Sequence, residues 1–393
     1  MPRSRSSQNF LLMSKKAKVL LLTNYRKDQQ RSMLRFGEIL ASEFISNSIE
    51  CVEIFPEPRF LRLTPTSSLK KWSGYIDKYL IFPRRLTRFL KNPKNQPDLL
   101  HVIDHSNAVY MNRVPRNSKT KRLLTCHDLI ALRMSKNEFH EAPKVSKTGK
   151  KLQNWIYKSL SNADAFGCDS SFTEKDLNRI IPHSKGKSKV IHLGVNSKAE
   201  GKPDENSLPF DPSITKYLLH VGSSAWYKNR KAILSAFCKL LQNSSYRSVN
   251  LVFVGPRLQE EELTEEAKSL MHTDKGKVVV LEHVEEPDLH KLYQHARAFV
   301  FPSFVEGFGW PPLEANAMGC PVITTRTGAI ADILGNSVTY VDPSNQREIN
   351  EALLSLMDSK SPVHSALDLP TNEECSNDYA RFYGQVIGGA LRP

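Results

Sequence analysis

Short apolar runs alternate with amphipathic stretches through the first half of the chain. Two stretches, 31–45 and 153–161, have apolar residues at the spacing of one helix face. The apolar runs predict buried strands at 18–23, 51–55, 99–104, 122–128, 163–170 and 188–195. Strands that are apolar throughout and alternate with helices are typical of a parallel sheet covered on both faces. The first half therefore predicts one α/β domain.

The same alternation restarts after a polar segment that is rich in proline and serine. Predicted strands follow at 217–222, 249–255, 277–284, 297–303, 320–325 and 338–342. Helices are predicted at about 229–242, 260–271, 287–295, 312–318 and 346–358. The last helical stretch has no strand after it, and we expect it to pack back on the first domain.

The predicted fold class is α/β, with two Rossmann-like doubly wound domains that face a cleft. We place the first domain at 17–197, a linker at 198–213 and the second domain at 214–376. The predicted crossover helix takes residues 377–393, and residues 1–16 are expected to form a disordered tail. Ligands of such sheets bind beyond the carboxyl ends of the strands, so the polar residues at those ends matter most.

Length and composition narrow the class of protein. The chain has 393 residues, 40% of them hydrophobic, which is too long for one ordinary core. Its formal charge of +14 favours anionic partners, although a soluble basic enzyme would carry it too. The six cysteines are scattered without a paired spacing, which indicates a reducing compartment and argues against a zinc site or disulfide framework.

No targeting or membrane-spanning segment is evident in the sequence. No apolar stretch is long enough to span a bilayer. The N-terminus lacks the apolar core and cleavage site of a signal peptide, so we expect a cytoplasmic location. Whether residues 1–12 belong to the mature chain stays open.

Polar residues end three predicted strands of the first domain. They are Asp104 and His105, His127 and Asp128, and Ser170. A lone histidine at such a position is more often a structural residue than a functional one. Ser170 is also suited to cap the following helix.

The second domain offers a candidate anion site in the loop after its first strand. Lys228 and Arg230 lie on 221–234, where a loop leads into a helix N-terminus. The free N–H groups of such a terminus, with a lysine or arginine, suit a phosphate. The alternative is that both are solvated charges on a surface helix. The loop matches neither a Walker motif nor GxGxxG, which disfavours P-loop chemistry and dinucleotide oxidation.

Two glutamates flank a Gly-rich turn in FPSFVEGFGWPPLEANAMGCPVITT (301–325). Glu306 precedes Gly307 and Gly309, which allow the backbone to approach a ligand closely. Glu314 follows in a helix that the prolines help to start. Complementing the helix dipole would explain Glu314 but not Glu306.

This segment resembles the E-x7-E signature of glycosyltransferase family 4. The similarity runs in order from about residue 99 to 358. Other matching motifs are TCHD at 125–128, ADAFGCDSSFTEKDL at 163–177, VIHLGV at 190–195, Val221-Gly222 with Lys228-Asn229, and DLHKLYQHA at 288–296. The resemblance implies the GT-B fold and retaining enzymes that use nucleotide-sugar donors.

The resemblance also implies roles for individual residues. Glu314 would bind the nucleotide ribose, Glu306 the donor sugar and Lys228 the diphosphate. The implied catalytic residues are His127, Lys228 and Glu306. The implied donor-binding residues are Ser223, Lys228, Arg230, Gly307, Phe308, Gly309, Leu313 and Glu314. The implied acceptor or sugar pocket contains Asp104, His105, His127, Asp128 and Ser170.

The sequence departs from the family pattern in three places. Tyr227 and Ser223 stand where many relatives carry arginine, and Arg230 is the candidate replacement. Asp332 stands where a glutamate is often found. The usual Gly-rich loop after the first strand is replaced by 23–32, whose candidate acceptor contacts are Arg26, Lys27 and Gln30.

The function predicted from these features is transfer of a hexosyl group from a nucleotide-diphosphate sugar. The donor would be of the GDP-mannose or UDP-hexose type, the acceptor a saccharide or a lipid-linked saccharide, and the configuration retained. No cofactor is expected beyond the co-substrate, and without a DxD motif no metal is expected. The alternatives are a catalytically silent family member that acts as a partner subunit and a basic nucleic-acid-binding protein.

A basic and aromatic segment, 69–94, bears on the acceptor. It interleaves aromatic residues with lysines and arginines, a composition that suits peripheral contact with an anionic membrane. An ordinary amphipathic helix packed on the first domain is the alternative. Basic residues are otherwise spread along the chain without a nucleic-acid motif, so no nucleic-acid partner is predicted.

Overall fold

A computed structural model describes most of the chain. The described residues are 16–28, 31–43, 49–60, 73–115, 117–195, 207–270, 276–358, 367 and 369–389. The predicted tail through residue 15, linker residues 198–206, Gln30 and residues 69–72 of the basic segment lie outside them.

The first domain is built on a parallel sheet whose apolar strands are covered on both faces. Its strands are β1 Ala17–Leu22, β2 Ile49–Ile54, β3 Leu99–Val102, β4 Lys121–Cys126, β5 Ala165–Cys168 and β6 Ser188–Val190, in the order β2-β1-β3-β4-β5-β6. Its α-helices are α1 Arg31–Glu43, α2 Phe82–Lys91, α3 Ile130–Ser135, α4 Lys147–Leu160 and α5 Ser171–Ile180. All four residues of β3 are buried, as a strand covered on both faces requires.

The second domain repeats this plan with a second parallel sheet. Its strands are β7 Tyr217–Val221, β8 Asn250–Val254, β9 Val278–Leu281, β10 Ala298–Phe301, β11 Val322–Thr324 and β12 Thr339–Tyr340, in the order β12-β11-β10-β7-β8-β9. Its helices are α6 Arg230–Leu240, α7 Glu265–Leu270, α8 Glu286–His295, α9 Trp310–Ala317, α10 Ile330–Leu334 and α11 Gln346–Asp358. The predicted class of two doubly wound domains is thereby confirmed.

The last described helix belongs to the first domain by its contacts. This helix, α12, spans Asn372–Ile387. Its Tyr379 hydroxyl lies 3.0 Å from Thr125 Oγ1, and its Tyr383 hydroxyl lies 2.7 Å from His101 Nδ1. The predicted return of the last helix is confirmed, but the helix begins before residue 377, where a capping box of Thr371 and Glu374 satisfies its first N–H groups.

Several predicted boundaries shift for local reasons. The predicted strand 99–104 stops at Val102 because Asp104 caps an unpredicted 3₁₀ helix, His105–Arg113. The helix predicted from 153 begins at Lys147, after Ser146 accepts a hydrogen bond from the Gly149 amide. The helix predicted at 260–271 is divided into a 3₁₀ turn, Glu260–Glu262, and α7.

One apolar cluster joins the two domains. It contains Val19 and Leu21 of β1, Leu219 of β7 and Phe299 of β10, together with residues of α12. Each sheet also has a cluster of its own on its other face. The domains therefore pack closely on each other. Among the described residues, no helix is both long and apolar enough to cross a membrane.

Candidate active site

The loops at the carboxyl ends of the two sheets meet between the domains. Ser170, directly after β5, donates a hydrogen bond to the Gly307 carbonyl oxygen at 2.9 Å. Ser171 contacts Asp332 twice across the same boundary, through its amide at 2.9 Å and its hydroxyl at 2.8 Å. The Trp310 indole donates to the Gly194 carbonyl oxygen at 2.9 Å. The expected cleft is thus closed by direct polar contacts.

Lys228 and Glu306 form a buried ion pair on the second domain. Lys228 Nζ lies 2.8 Å from Glu306 Oε1, and the two residues are 9% and 7% exposed. They meet because Lys228 ends the 3₁₀ turn after β7, Glu306 follows β10, and these strands are neighbours in the sheet. The ammonium also lies 4.6 Å from the ring centre of Phe301. A cation and a carboxylate are therefore held together at the sheet edge that faces the first domain.

Glu314 of α9 is bound by one residue from each domain. Arg35 of α1 donates to Oε1 at 2.8 Å, and the Tyr293 hydroxyl donates to Oε2 at 3.3 Å. The Arg35 guanidinium also lies 4.9 Å from the ring centre of Trp310. Sequence reasoning missed Arg35 because it is one polar residue among others in an amphipathic helix. Both carboxylate oxygens of Glu314 are satisfied in this arrangement.

The Gly-rich turn between the two glutamates has backbone that side chains would disturb. Gly309 has a φ of +90° and precedes the first residue of α9. Gly307 packs so closely on the first domain that an added Cβ would lie 2.0 Å from the His127 carbonyl oxygen. The predicted neighbours Phe308 and Leu313 are buried. Glycine at 307 is therefore needed for the domains to meet.

The ring of His127 is fully engaged within the first domain. Nε2 lies 2.8 Å from the Ile103 carbonyl oxygen, which can only accept, so Nε2 carries a proton. Nδ1 lies 3.0 Å from Asp169 Oδ2, and the ring packs edge-on against Phe36. Burial opposes a charge on the ring, but the hydrogen bond and charge of Asp169 outweigh it and raise the pKa of His127. The ring is thus directed at Asp169 and Ile103 rather than at the cleft.

Asp169 was not singled out in the sequence, because it fell within the predicted strand 163–170. It is fully surrounded by protein, and burial raises its pKa. Burial thus disfavours a charge on either member of this pair, whereas the hydrogen bond and charge of Asp169 favour a proton on His127. In this structure the backbone of His127, rather than its ring, faces the second domain at Gly307. The role implied for the His127 side chain in a sugar pocket stays a prediction.

Two other expected pocket residues of the first domain, Asp104 and Asp128, have different surroundings. Asp104 accepts hydrogen bonds from Asn24 Nδ2 at 2.6 Å and from the Ser106 amide at 2.8 Å. Burial would raise the pKa of Asp104, but the adjacent His105 and His127 outweigh it and lower the pKa. Asp128 instead accepts from the Ile130 amide at 2.9 Å and lines a cavity with Glu306.

Arg230, the candidate replacement for the missing arginine beside Lys228, lies on the second domain with most of its side chain enclosed. Its guanidinium is buried, donates to the Pro256 carbonyl oxygen at 3.0 Å and pairs with Glu262 at 3.2 Å. Burial lowers its pKa. In this arrangement the Arg230 side chain is held against the loop after β8. Its expected contribution to a diphosphate site stays a prediction. Ser223 is exposed, and its hydroxyl accepts from the Ala225 amide at 3.4 Å.

Two further expectations concern the edges of the site. Arg26, in the loop after β1, packs its guanidinium on the Phe55 ring at 4.4 Å and lies 3.8 Å from Glu53. Lys27 is exposed. Tyr227, which stands where the resemblance led us to expect arginine, is largely enclosed, and burial raises its pKa.

A small cavity remains between the domains beside the ion pair. It is a narrow gap without enclosed room for a water molecule, and it is lined by Asp128, Leu129, Ile130, Arg133, Phe172, Thr173, Asp176, Val305 and Glu306. Sites for ligands of moderate size usually measure roughly 300–1,000 Å³. A ligand as long as a nucleotide sugar therefore requires the domains to separate. Among the described residues, no group of three or more His, Cys, Asp or Glu side chains is arranged to hold a metal ion.

Two family models divide the chain between them. The model described as Glycosyltransferase Family 4 matches residues 53–199. The model described as Glycosyl transferases group 1 matches residues 209–372. The chain belongs to glycosyltransferase family 4. Family membership makes it a glycosyltransferase, as the ordered motifs predicted.

Its relatives within this family include enzymes of bacterial polysaccharides. The O-antigen chain mannosyltransferase B of Escherichia coli is 25% identical over 298 residues, 75% of this chain and 74% of that protein. The O-antigen chain mannosyltransferase RfbU of Salmonella typhimurium is 32% identical over 194 residues, 47% of this chain and 49% of that protein.

Solved structures confirm the fold of this family 4 glycosyltransferase. The sucrose-phosphate synthase from Thermosynechococcus elongatus superposes with a TM-score of 0.68 over 95% of this chain and 100% of that chain, at 18% identity. An α,α-trehalose-phosphate synthase from Burkholderia vietnamiensis superposes with the same TM-score of 0.68 at 11% identity. The predicted GT-B fold is thereby confirmed.

Proposed function

We propose that this glycosyltransferase moves a hexosyl group from a nucleotide-diphosphate sugar to a saccharide or lipid-linked saccharide, with retention of configuration. The observation that carries the proposal is the pairing of Lys228 with Glu306 at one end of a Gly-rich turn that has Glu314 at its other end. These groups match the three parts of such a donor, which are diphosphate, sugar and ribose.

Each part of the donor finds a suitable group on the second domain. Glu314 holds two hydrogen bonds in the closed arrangement, so it can accept two from the vicinal hydroxyls of a ribose. Pro311 and Pro312 have no N–H, so the donors for the anionic part of the sugar nucleotide are the N–H groups of the Gly-rich turn and of Trp310. Glu306, once parted from Lys228, can accept from a sugar hydroxyl.

Lys228 is the group proposed to act on the leaving diphosphate. When the bond between the anomeric carbon and the diphosphate oxygen breaks, negative charge grows on that oxygen. A buried ammonium stabilises such charge strongly, because little water screens it. In this proposal Lys228 passes from Glu306 to the diphosphate, and no metal is required for that role.

The acceptor hydroxyl attacks the anomeric carbon from the face that the diphosphate leaves, so the configuration is retained. Its proton goes to the departing phosphate oxygen. Transfer with retention has been analysed in a trehalose-6-phosphate synthase that shares the fold of this chain. The cross-domain contacts of Ser170 and Ser171 would re-form around the donor and keep water from it.

The names of the relatives favour a mannosyl donor and a polysaccharide product. Both O-antigen relatives are mannosyltransferases. We therefore propose a GDP-mannose donor first and a UDP-hexose second. A lipid-linked acceptor would place the enzyme at the cytoplasmic face of a membrane.

A donor panel tests the proposal. Purified protein is mixed with GDP-mannose and a set of UDP-hexoses, and nucleoside diphosphate release and donor affinity are measured. Glu306→Gln and Lys228→Met should each reduce release by roughly a hundredfold or more. Glu282→Gln, which removes the carboxylate of an exposed ion pair with Arg257, is the matched control and should leave release unchanged. Absence of donor binding and release in the wild type, or unchanged release in both site variants, would overturn it.

A further inference from the structure

Two helices of the first domain pack on either side of the 3₁₀ helix His105–Arg113 over one core. Leu86 and Leu90 of α2 and Ile156 and Leu160 of α4 belong to the same apolar cluster. The Tyr79 ring, in the π-helical turn Asp77–Ile81 that leads into α2, contacts the Trp155 ring of α4 with 5.5 Å between centres. Both helices therefore lie on the same side of the sheet, and the ring contact joins the start of one outward face to the other.

The face contributed by α2 is basic with an apolar residue at its start. Leu80, Arg84, Arg88 and Lys91 follow one another at helical spacing and are exposed. Of the residues between them, Phe82, Pro83, Leu86 and Leu90 are buried. This face uses only part of the basic segment 69–94.

Some charges of that segment are already used. Arg85 lies 2.8 Å from Glu57, and Lys78 lies 2.7 Å from Asp28. By contrast, Arg88 and Lys91 have no ion-pair partner among the residues that the structure describes. The basic face thus keeps its charge at the surface.

The face contributed by α4 repeats the composition. Lys147, Lys151 and Lys158 are exposed and have no ion-pair partner within the described parts of the chain. Trp155 stands among them at 38% exposure, and Leu80 on the neighbouring turn is 49% exposed. Over their described lengths, α2 and α4 contain no aspartate or glutamate. We call the surface formed by Leu80, Arg84, Arg88, Lys91, Lys147, Lys151, Trp155 and Lys158 the two-helix surface.

We infer that the two-helix surface docks on an anionic lipid bilayer. Exposed lysines and arginines without carboxylates are attracted to anionic headgroups. Trp155 and Leu80 can enter the boundary between headgroups and acyl chains, where tryptophan is favoured. A nucleic-acid strand would instead need aromatic rings stacked along a basic groove, whereas these apolar groups stand on an outward face.

The docked orientation would suit a lipid-borne acceptor. Helices that connect parallel strands run opposite to them, so α2 and α4 begin at the sheet edge where the loops of the site lie. The two-helix surface therefore extends from the rim of the cleft away from it. Docking along this surface leaves the cleft opening next to the headgroups.

Vesicle flotation tests the inference without donor or acceptor, so its outcome is independent of the proposed reaction. The protein is mixed with vesicles of phosphatidylcholine alone or of equal parts phosphatidylcholine and phosphatidylglycerol. We expect binding to the anionic vesicles only, falling as salt is added. Each lysine or arginine at such a surface contributes roughly fivefold in affinity.

The decisive variant neutralises α4 alone, through Lys147→Gln, Lys151→Gln and Lys158→Gln. Its vesicle affinity should fall by roughly a hundredfold. The matched control removes three exposed charges from the second domain, through Lys239→Gln, Arg247→Gln and Arg297→Gln, and should bind as the wild type does. Thermal melting of both variants checks that they are folded.

Two results would overturn the inference. One is equal loss of vesicle binding in the α4 variant and in the control, which would reduce the effect to net charge. The other is wild-type protein that binds a single-stranded RNA oligomer but not anionic vesicles. Trp155→Ser should weaken vesicle binding while leaving the salt dependence of binding unchanged. An unchanged affinity would show that Trp155 does not enter the bilayer.

Discussion

Replacing Lys228 by methionine tests whether the buried ion pair stabilises the second domain. Methionine keeps most of the side-chain length that packs near Phe301 but removes the charge. Glu306 would then stay buried without the ammonium that lies 2.8 Å from it in the wild type. A buried carboxylate without a cation is costly because it has lost its water.

The expected loss of stability is large. The side chains of Lys228 and Glu306 are only 11% and 8% exposed, so solvent replaces little of the lost interaction. Breaking a buried pair by removing one partner typically costs about 3–5 kcal/mol. At the lower value, the melting temperature should fall by roughly 6–12 °C for a domain of this size.

Thermal melting followed by circular dichroism measures this change. A Lys228→Met/Glu306→Gln variant should regain much of the lost stability, because the charge left behind is neutralised as well. Arg257→Met is the matched control: it breaks a pair of 2.6 Å to Glu282 whose arginine side chain is 82% exposed, and it should melt as the wild type does. If Lys228→Met melts with the control, or if the double variant is no more stable than the single one, the buried pair does not stabilise the fold and the reasoning is refuted.

Three further predictions concern the closed arrangement of the domains. Arg35→Gln should raise the affinity for the free nucleoside diphosphate by roughly fivefold, as measured by calorimetry. The reason is that Glu314 no longer has to break an ion pair worth about 1 kcal/mol before it binds the ribose. Weaker binding would instead show that Arg35 itself contacts the donor. Gly307→Ala should push the domains apart, since the added Cβ cannot lie 2.0 Å from the His127 carbonyl oxygen. The radius of gyration measured by X-ray scattering should increase, and turnover should fall by roughly a hundredfold. An unchanged radius would contradict this prediction. The pKa of His127 is raised above its ordinary 6.5, so the stabilisation from its proton is lost as the pH rises through that raised value. Above pH 6.5 the melting temperature of the wild type should therefore fall more steeply than that of the double variant His127→Gln/Asp169→Asn. Parallel melting curves would exclude the effect.

The fold was predictable from the chain because its strands are covered on both faces. Most of the strands appear as a short apolar run, and each position of β3 is buried as that pattern requires. The unpredicted 3₁₀ helix His105–Arg113 shows the limit of this signal. It has neither helical nor strand periodicity and depends on a cap from Asp104.

The candidate site was predictable only on the side of the second domain. Lys228 and Glu306 each follow a strand, and the order of strands in a doubly wound sheet makes β7 and β10 neighbours. Their pairing thus follows from the fold. Which way Arg230 turns does not, because the carbonyl oxygen of Pro256 that it binds lies in a loop of irregular backbone.

Partners that come from the other domain could not be predicted. Arg35 and Glu314 are 279 positions apart, and their contact depends on how the two domains pack. Within the first domain, Asp169 and His127 are 42 positions apart and follow neighbouring strands, and no sequence motif pairs them. The sequence pattern places residues at an edge, and only packing decides which of them meet.

The position of α12 has a consequence for the order in which this protein becomes folded during synthesis. The first domain is made first, but Tyr379 and Tyr383, which are buried against it, are made only after the whole second domain. Until then His101 and Thr125 lack hydroxyl partners, and the surface that α12 covers is open to chaperones and proteases. The nascent second domain therefore has to fold while the first is still incomplete, and a chain cut short before residue 372 would lose part of the core of its N-terminal domain.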